Sequence, residues 1–228
     1  MSVVSKVNKG KKVENEHYVP EAVYSDLSDF RYTRTWEQNL KVNVYGYEVN
    51  IPDMPPDEEI VNYGRPISEQ IFRKTSIPED LHFWDQDDQE AFIEREHHRR
   101  YEGMWFYIKG EPIYIPGLFY YFLNYWVPQT NDKIFFRIGD WKFFIIWMHV
   151  VVSPHIYGLI DFKCRRIGDT EKALCILYEF ASRVRNTLNQ MFDCRTEPDI
   201  QETFERLKFA HKNMIWFMRP VAKKDDAK

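Results

Sequence analysis

The sequence predicts an α/β fold with a parallel sheet. Its order is strand–loop–helix–strand–helix over residues 156–212, preceded by an aromatic-rich α+β N-terminal region. Three observations carry this. The run "HIYGLIDF" is apolar, with a tight Gly158, as in a strand buried on both faces. From Thr170, apolar residues recur at helical spacing: Ala173, Leu174, Leu177, Phe180, Ala181, Val184 and Leu188. "LNQMFDC" then reads as the next strand. "TEPDIQETFERLKFAHK" follows as a second helix, with Thr196 as cap and Pro198 in its first turn. Strands that alternate with helices in this way pair in parallel.

The remaining elements follow in chain order. Residues 1–20 are polar and lysine-rich, and residues 1–60 read as a partly irregular N-terminal extension. Within it "KVNVYGYEVNI" alternates like a strand, and "PDMPPDEE" is a proline-acidic break. "WDQDDQEAFIEREHHRRYEGMW" carries clear helix signals. Asp85 stands at the start, acids fill the first turn, bases fill the last, and Gly103 follows. His97 and His98 invite a metal reading, but adjacent residues do not share a helix face. Charges that complement the helix dipole are the plainer reading. "WFYIKGEPIYI" reads as two short strands around "KGEP", and "GLFYYFLNYW" as a short buried helix packed with rings. Residues 141–152, "WKFFIIWMHVVV", form a buried helix ended by Ser153-Pro154. That run falls short of the ~20 residues a bilayer span needs, and it contains Lys142 and His149. No membrane association is expected.

Composition narrows the function classes. The 44% apolar and 29% charged residues are the balance of a globular chain, not a disordered one. A net charge of −4 gives no global pull toward nucleic acid, so DNA contact would need a local basic patch. Cys164, Cys175 and Cys194 are odd in number and lack zinc-ligand spacing, which fits a reducing compartment.

The chemistry concentrates in "FKCRRIGDTEKALC", residues 162–175. A phosphate-binding loop needs converging backbone N–H groups, a helix N-terminus and a cation that reaches the β/γ oxygens. A hydroxyl at the helix start then holds Mg²⁺. Gly168 allows a tight turn, and Thr170 stands where that hydroxyl belongs. Asp169 occupies the position of the usual lysine. A carboxylate ~4 Å from a phosphate charge, at an effective dielectric of ~20, costs about 4 kcal/mol per pair. Asp169 must therefore point away or help hold the metal, and the cation must come from Lys163, Arg165 or Arg166. The residues alone leave two readings open, a phosphate loop and a plain αβ turn.

Three segments in order resemble the large subunit of tailed-phage terminases, the DNA-packaging ATPases. They are "GMWFYIKGEPIYIPGLFYYFLNYW", "YGLIDFKCRRIGDTEKALCILYEFASR", and "CRTEPDIQETFERL" followed by "FMRP". The likeness runs from about Trp84 to Pro220 and does not include residues 1–50. Some members of that family place the cation at the start of the loop, as K-x-x-R-x-G-x-[ST]. Here this pattern reads from Lys163 to Thr170. The resemblance implies a P-loop NTPase over residues 61–228 that binds ATP and Mg²⁺. Lys163 is the displaced phosphate lysine, Arg166 assists it, and Thr170 is the Mg²⁺ ligand. Arg165, Gly168 and Asp169 complete the stretch, and Asp169 is given no defined role.

The resemblance also implies double-stranded viral DNA, a portal protein and a small terminase subunit as partners. It implies a homo-oligomeric ring and a host-cytoplasmic location. The family's second acidic motif, an apolar strand that ends in Asp-Glu, and its nuclease carboxylates have no match after Thr170. The chain thus reads as the N-terminal ATPase portion of such a motor, expected to bind nucleotide without efficient hydrolysis and to hold no catalytic residue of its own. The resemblance does not identify the base-contacting residue; Trp105, Tyr114 and Tyr157 are the aromatic candidates. Two other classes compete. One is a non-enzymatic phage structural or interaction module. The other is a nucleic-acid-binding module that uses Lys163, Arg165, Arg166, Arg183 and Arg185.

Overall fold

A computed structural model describes residues 40–62, 78, 80–108, 111–130, 134–153, 155–161, 169–183 and 197–220. The alternating run at 40–51 is two strands, β1 (Leu40–Val44) and β2 (Tyr47–Ile51), paired antiparallel. Tyr45 and Gly46 link them with φ of 53° and 86°. Two positive φ values give the tight turn whose twist matches paired strands. The Gly46 N–H donates to Asn43 Oδ1 at 3.1 Å. One hairpin face buries Val44, Val49 and Ile51.

A three-stranded sheet follows. In it β3 (Val61–Asn62) runs parallel to β4 (Met104–Ile108), which pairs antiparallel with β5 (Glu111–Ile115). Helix α1 (Gln86–Glu102) enters this sheet through Gly103. Asp85 takes the cap position without a side-chain cap bond, and its carbonyl accepts from the Gln89 N–H at 2.9 Å. Gly103 ends α1 at φ 81°, and a Cβ there would lie 2.2 Å from the Ile115 carbonyl oxygen. Only glycine fits on both counts.

Helix α2 (Gly117–Asn124) begins where its first residue touches α1: a Cβ on Gly117 would meet the Arg100 carbonyl oxygen at 2.3 Å. That close approach drives the α2 rings into the core. Phe119, Tyr120 and Tyr121 are fully buried, each worth about 1.5–3 kcal/mol. Phe119 stacks on Phe144 of α3 (Ile138–Val152) at 5.0 Å between ring centroids. The opposite side of α3 carries the hairpin, with Ile145 and Met148 packed against Val44, Val49, Ile51 and Tyr114.

Helices α4 (Asp169–Arg183) and α5 (Glu197–Asn213) complete the core. Leu174 and Tyr178 of α4, and Ala210 and Met214 beyond it, join the α2 cluster. Residues 156–161 lie in no strand: an extended segment becomes one only when a neighbour supplies its hydrogen bonds, and none of the described residues does so. The second expected strand at 188–194 and the Thr196 cap lie outside the described residues. Among the described residues, no helix is long and apolar enough to cross a membrane.

Candidate functional site

Asp169 and Thr170 are the first two residues of α4. Lys163, Arg165, Arg166 and Gly168 lie outside the described residues. What the structure supplies is the environment of the carboxylate that stood in the lysine's place. Asp169 is ion-paired with Lys172, one turn along the same helix. The Lys172 ammonium also donates to Asp140 Oδ1 of α3 at 2.9 Å and lies 4.7 Å from the centre of the Phe143 ring. Burial opposes the lysine's charge. Hydrogen bonds to Asp169 and Asp140 outweigh burial and raise its pKa.

Asp169 therefore spends its charge on a buried partner. The Lys172 ammonium in direct contact offsets part of that charge, and Asp140 shares the same ammonium. Glu171, the other acid of this first turn, accepts from Trp126 Nε1 at 2.9 Å. Both acids also sit at the helix end where the macrodipole favours negative charge.

Beside this helix start is a cavity of about 910 Å³. Its walls come from the hairpin (Tyr45, Tyr47), from α3 (Phe143, Ile146) and from residues 156–161. Asp161 and Lys172 both stand on the wall, one on each side of the basic segment 162–168 in sequence. Polar groups converge on an otherwise apolar pocket: Arg137, Asp140 and His149 line it as well. That is the usual make-up of a small-molecule site, and its size lies near the top of the usual range of ~300–1,000 Å³.

Two of the three aromatic candidates for base contact are committed elsewhere. The Trp105 and Tyr114 rings pack against each other at 5.8 Å, and the Tyr114 hydroxyl donates to the Glu102 carbonyl. Tyr157 is 95% exposed. Tyr45 and Tyr47 escape notice in the sequence because the hairpin lies in the stretch read as an extension, and Phe143 because its run reads as a buried helix.

A second polar cluster, deep in the core, joins α1 to α4. Arg100 donates through Nε and Nη2 to Glu179 Oε2, at 2.8 and 2.7 Å. Arg183 Nε lies 2.6 Å from Glu179 Oε1. Both guanidiniums are 3% exposed and stack on rings, Arg100 over Tyr121 and Arg183 over Tyr101. Burial works against the Arg100 charge, and Glu179 overrides it and holds the pKa above the ordinary value. Arg183, a candidate nucleic-acid contact by sequence, is thus enclosed in the core and cannot reach a DNA phosphate from there. Arg185 lies outside the described residues.

His97 likewise belongs to the core. It bonds the Phe217 carbonyl through Nε2 at 2.9 Å, which fixes the proton on Nε2, while His98 is exposed. Among the described residues, no three His, Cys, Asp or Glu side chains are grouped to hold a metal ion. No family model, curated protein or solved structure matches this chain.

Proposed function

We propose that the chain binds ATP with Mg²⁺ through residues 163–170, as the nucleotide-binding part of a DNA-packaging motor of the terminase large-subunit kind. The Asp169–Lys172–Asp140 ion-pair chain carries this reading. It lessens the physical objection to the stretch, an unpaired carboxylate facing a triphosphate. What remains is a basic segment that runs into the N-terminus of a 15-residue helix. The first turn of such a helix has N–H groups with no partner within the helix, and its dipole attracts anions.

Each residue then has a role. Lys163 holds the β/γ oxygens as a point charge, with Arg165 and Arg166 beside it, and Gly168 allows the turn. The Thr170 hydroxyl, on the second residue of α4, is the metal ligand this chain offers. Lys172 keeps Asp169 turned to the protein. Bound Mg²⁺ neutralises part of the triphosphate charge. DNA, a portal protein, a small subunit and a ring of identical chains are the partners that this function implies.

The test is Lys163→Ala, with affinity for a non-hydrolysable ATP analogue measured in Mg²⁺ by calorimetry. Removal of a charged phosphate contact costs about 1.5–3 kcal/mol, so binding should weaken roughly ten- to hundredfold. Equal affinity in the two proteins would sink the assignment of Lys163.

A further inference from the structure

We infer that the cavity between the β1–β2 hairpin, α3 and residues 156–161 is the site for the base and ribose of the nucleotide, with Tyr45 and Tyr47 as ring contacts. This inference rests on the nucleotide reading above and adds the residues that select the nucleoside.

Four observations converge. The cavity holds about 910 Å³, ample for a nucleoside. The wall residue Lys172 is ion-paired with Asp169, the first residue of α4, so a ligand whose phosphates lie at that helix start has the cavity within reach. The wall offers hydrogen-bond groups of both kinds to a nucleoside: Asp140 and Asp161 accept, Arg137 donates, and the Lys172 ammonium is shared between Asp140 and Asp169. Carboxylates accept from ribose hydroxyls.

The fourth observation is the hairpin turn. Tyr45 has φ 53°, a left-handed conformation that a bulky side chain adopts at a cost and that asparagine or glycine takes readily. It is the one non-glycine residue with positive φ among the described residues, and it lines the cavity. Tyr45 is also 67% exposed and Tyr47 63% exposed, so core packing does not account for the two rings. Strained residues of this kind cluster at ligand clamps. Stacking a base on an aromatic ring suits such a position.

The experiment compares two ligands on three proteins. Affinities of a non-hydrolysable ATP analogue and of inorganic tripolyphosphate, both with Mg²⁺, are measured for wild type, Tyr45→Asn/Tyr47→Thr and Lys163→Ala. Loss of two base contacts should weaken the analogue about five- to hundredfold and leave tripolyphosphate unchanged. The tripolyphosphate value reports that the hairpin variant is folded. Lys163→Ala should weaken both ligands. Unchanged analogue affinity in the hairpin variant, with a loss in Lys163→Ala, overturns the base site and leaves the phosphate site standing. An equal loss of both ligands in the hairpin variant also overturns the base site. Failure of wild type to bind either ligand overturns both readings.

Discussion

Glu179→Ala should lower the unfolding free energy by about 3–5 kcal/mol, the usual cost of breaking a buried ion pair from one side. For a chain of this size that is a fall in Tm of roughly 6–20 °C. The reason is the geometry of the carboxylate. Its two oxygens separately hold Arg100 and Arg183, and all three groups are buried. Alanine leaves two guanidiniums in the core without the anion they share. Arg100 keeps its 2.8 Å bond to Ser182 Oγ, which does not balance its charge. Replacing the whole triad should cost much less, because the desolvation penalty goes with the charges. Arg100→Met/Glu179→Leu/Arg183→Met should therefore be more stable than the single variant. Urea unfolding of the three proteins reads both effects. A loss under 1 kcal/mol in Glu179→Ala would show that the cluster is solvated.

Stability should also fall between pH 6.5 and pH 4. His97 is the main cause: burial, and then the nearby Arg100 charge, lowers its pKa from 6.5 to about 4. The Phe217 carbonyl bond acts in the opposite direction and is outweighed. In this window the unfolded chain binds a proton at His97 and the folded chain does not, so acid favours unfolding. The contribution is fully present above pH 6.5 and is lost as pH falls toward 4, with a total on the order of 3 kcal/mol. His211, whose pKa is lowered by burial and by Arg219, adds in the same direction. His97→Gln keeps a donor for the Phe217 carbonyl and removes the titration. Unfolding free energies at pH 7 and pH 5 should differ by less in that variant than in wild type. An identical pH dependence in both would assign the effect to other groups.

The helices α1, α2 and α3 were legible, and the misses have separate causes. Helix α1 was set by charges graded along its axis and by Gly103, all local signals. The rings of α2 and the apolar run of α3 identified themselves by density. The hairpin read as one strand because a two-residue turn preserves the alternation on each side, and Tyr45 hid the usual Asn-Gly signature. Buried charges went unseen for a different reason. The charges of α1 read as complementing the helix dipole, and their grading along the axis holds, but Glu96, His97 and Arg100 are also buried. Glu96 accepts from the Tyr120 and Tyr125 hydroxyls of the next helix and its end, and nothing near residue 96 announces those donors.

The candidate site divides along the same line. The Asp169–Lys172 pair was readable as opposite charges one turn apart in "DTEK". Its second anchor, Asp140, is 32 residues upstream of Lys172 and reaches it only through the packing of α3 on α4. The cavity wall from Tyr45 to Val49 comes from a part of the chain that local pattern assigned to an extension. Local spacing revealed which residues carry the charge, while tertiary packing decides which of those charges line the cavity.

If residues 163–170 hold the phosphates of a nucleotide, amide NMR of the whole chain, titrated with a non-hydrolysable ATP analogue in Mg²⁺, should show it. Saturable shifts are expected to be largest from residue 163 to residue 172, with a second set in Tyr45–Tyr47. Absence of saturable shifts, or shifts confined to the β3–β5 sheet and α5, would contradict it.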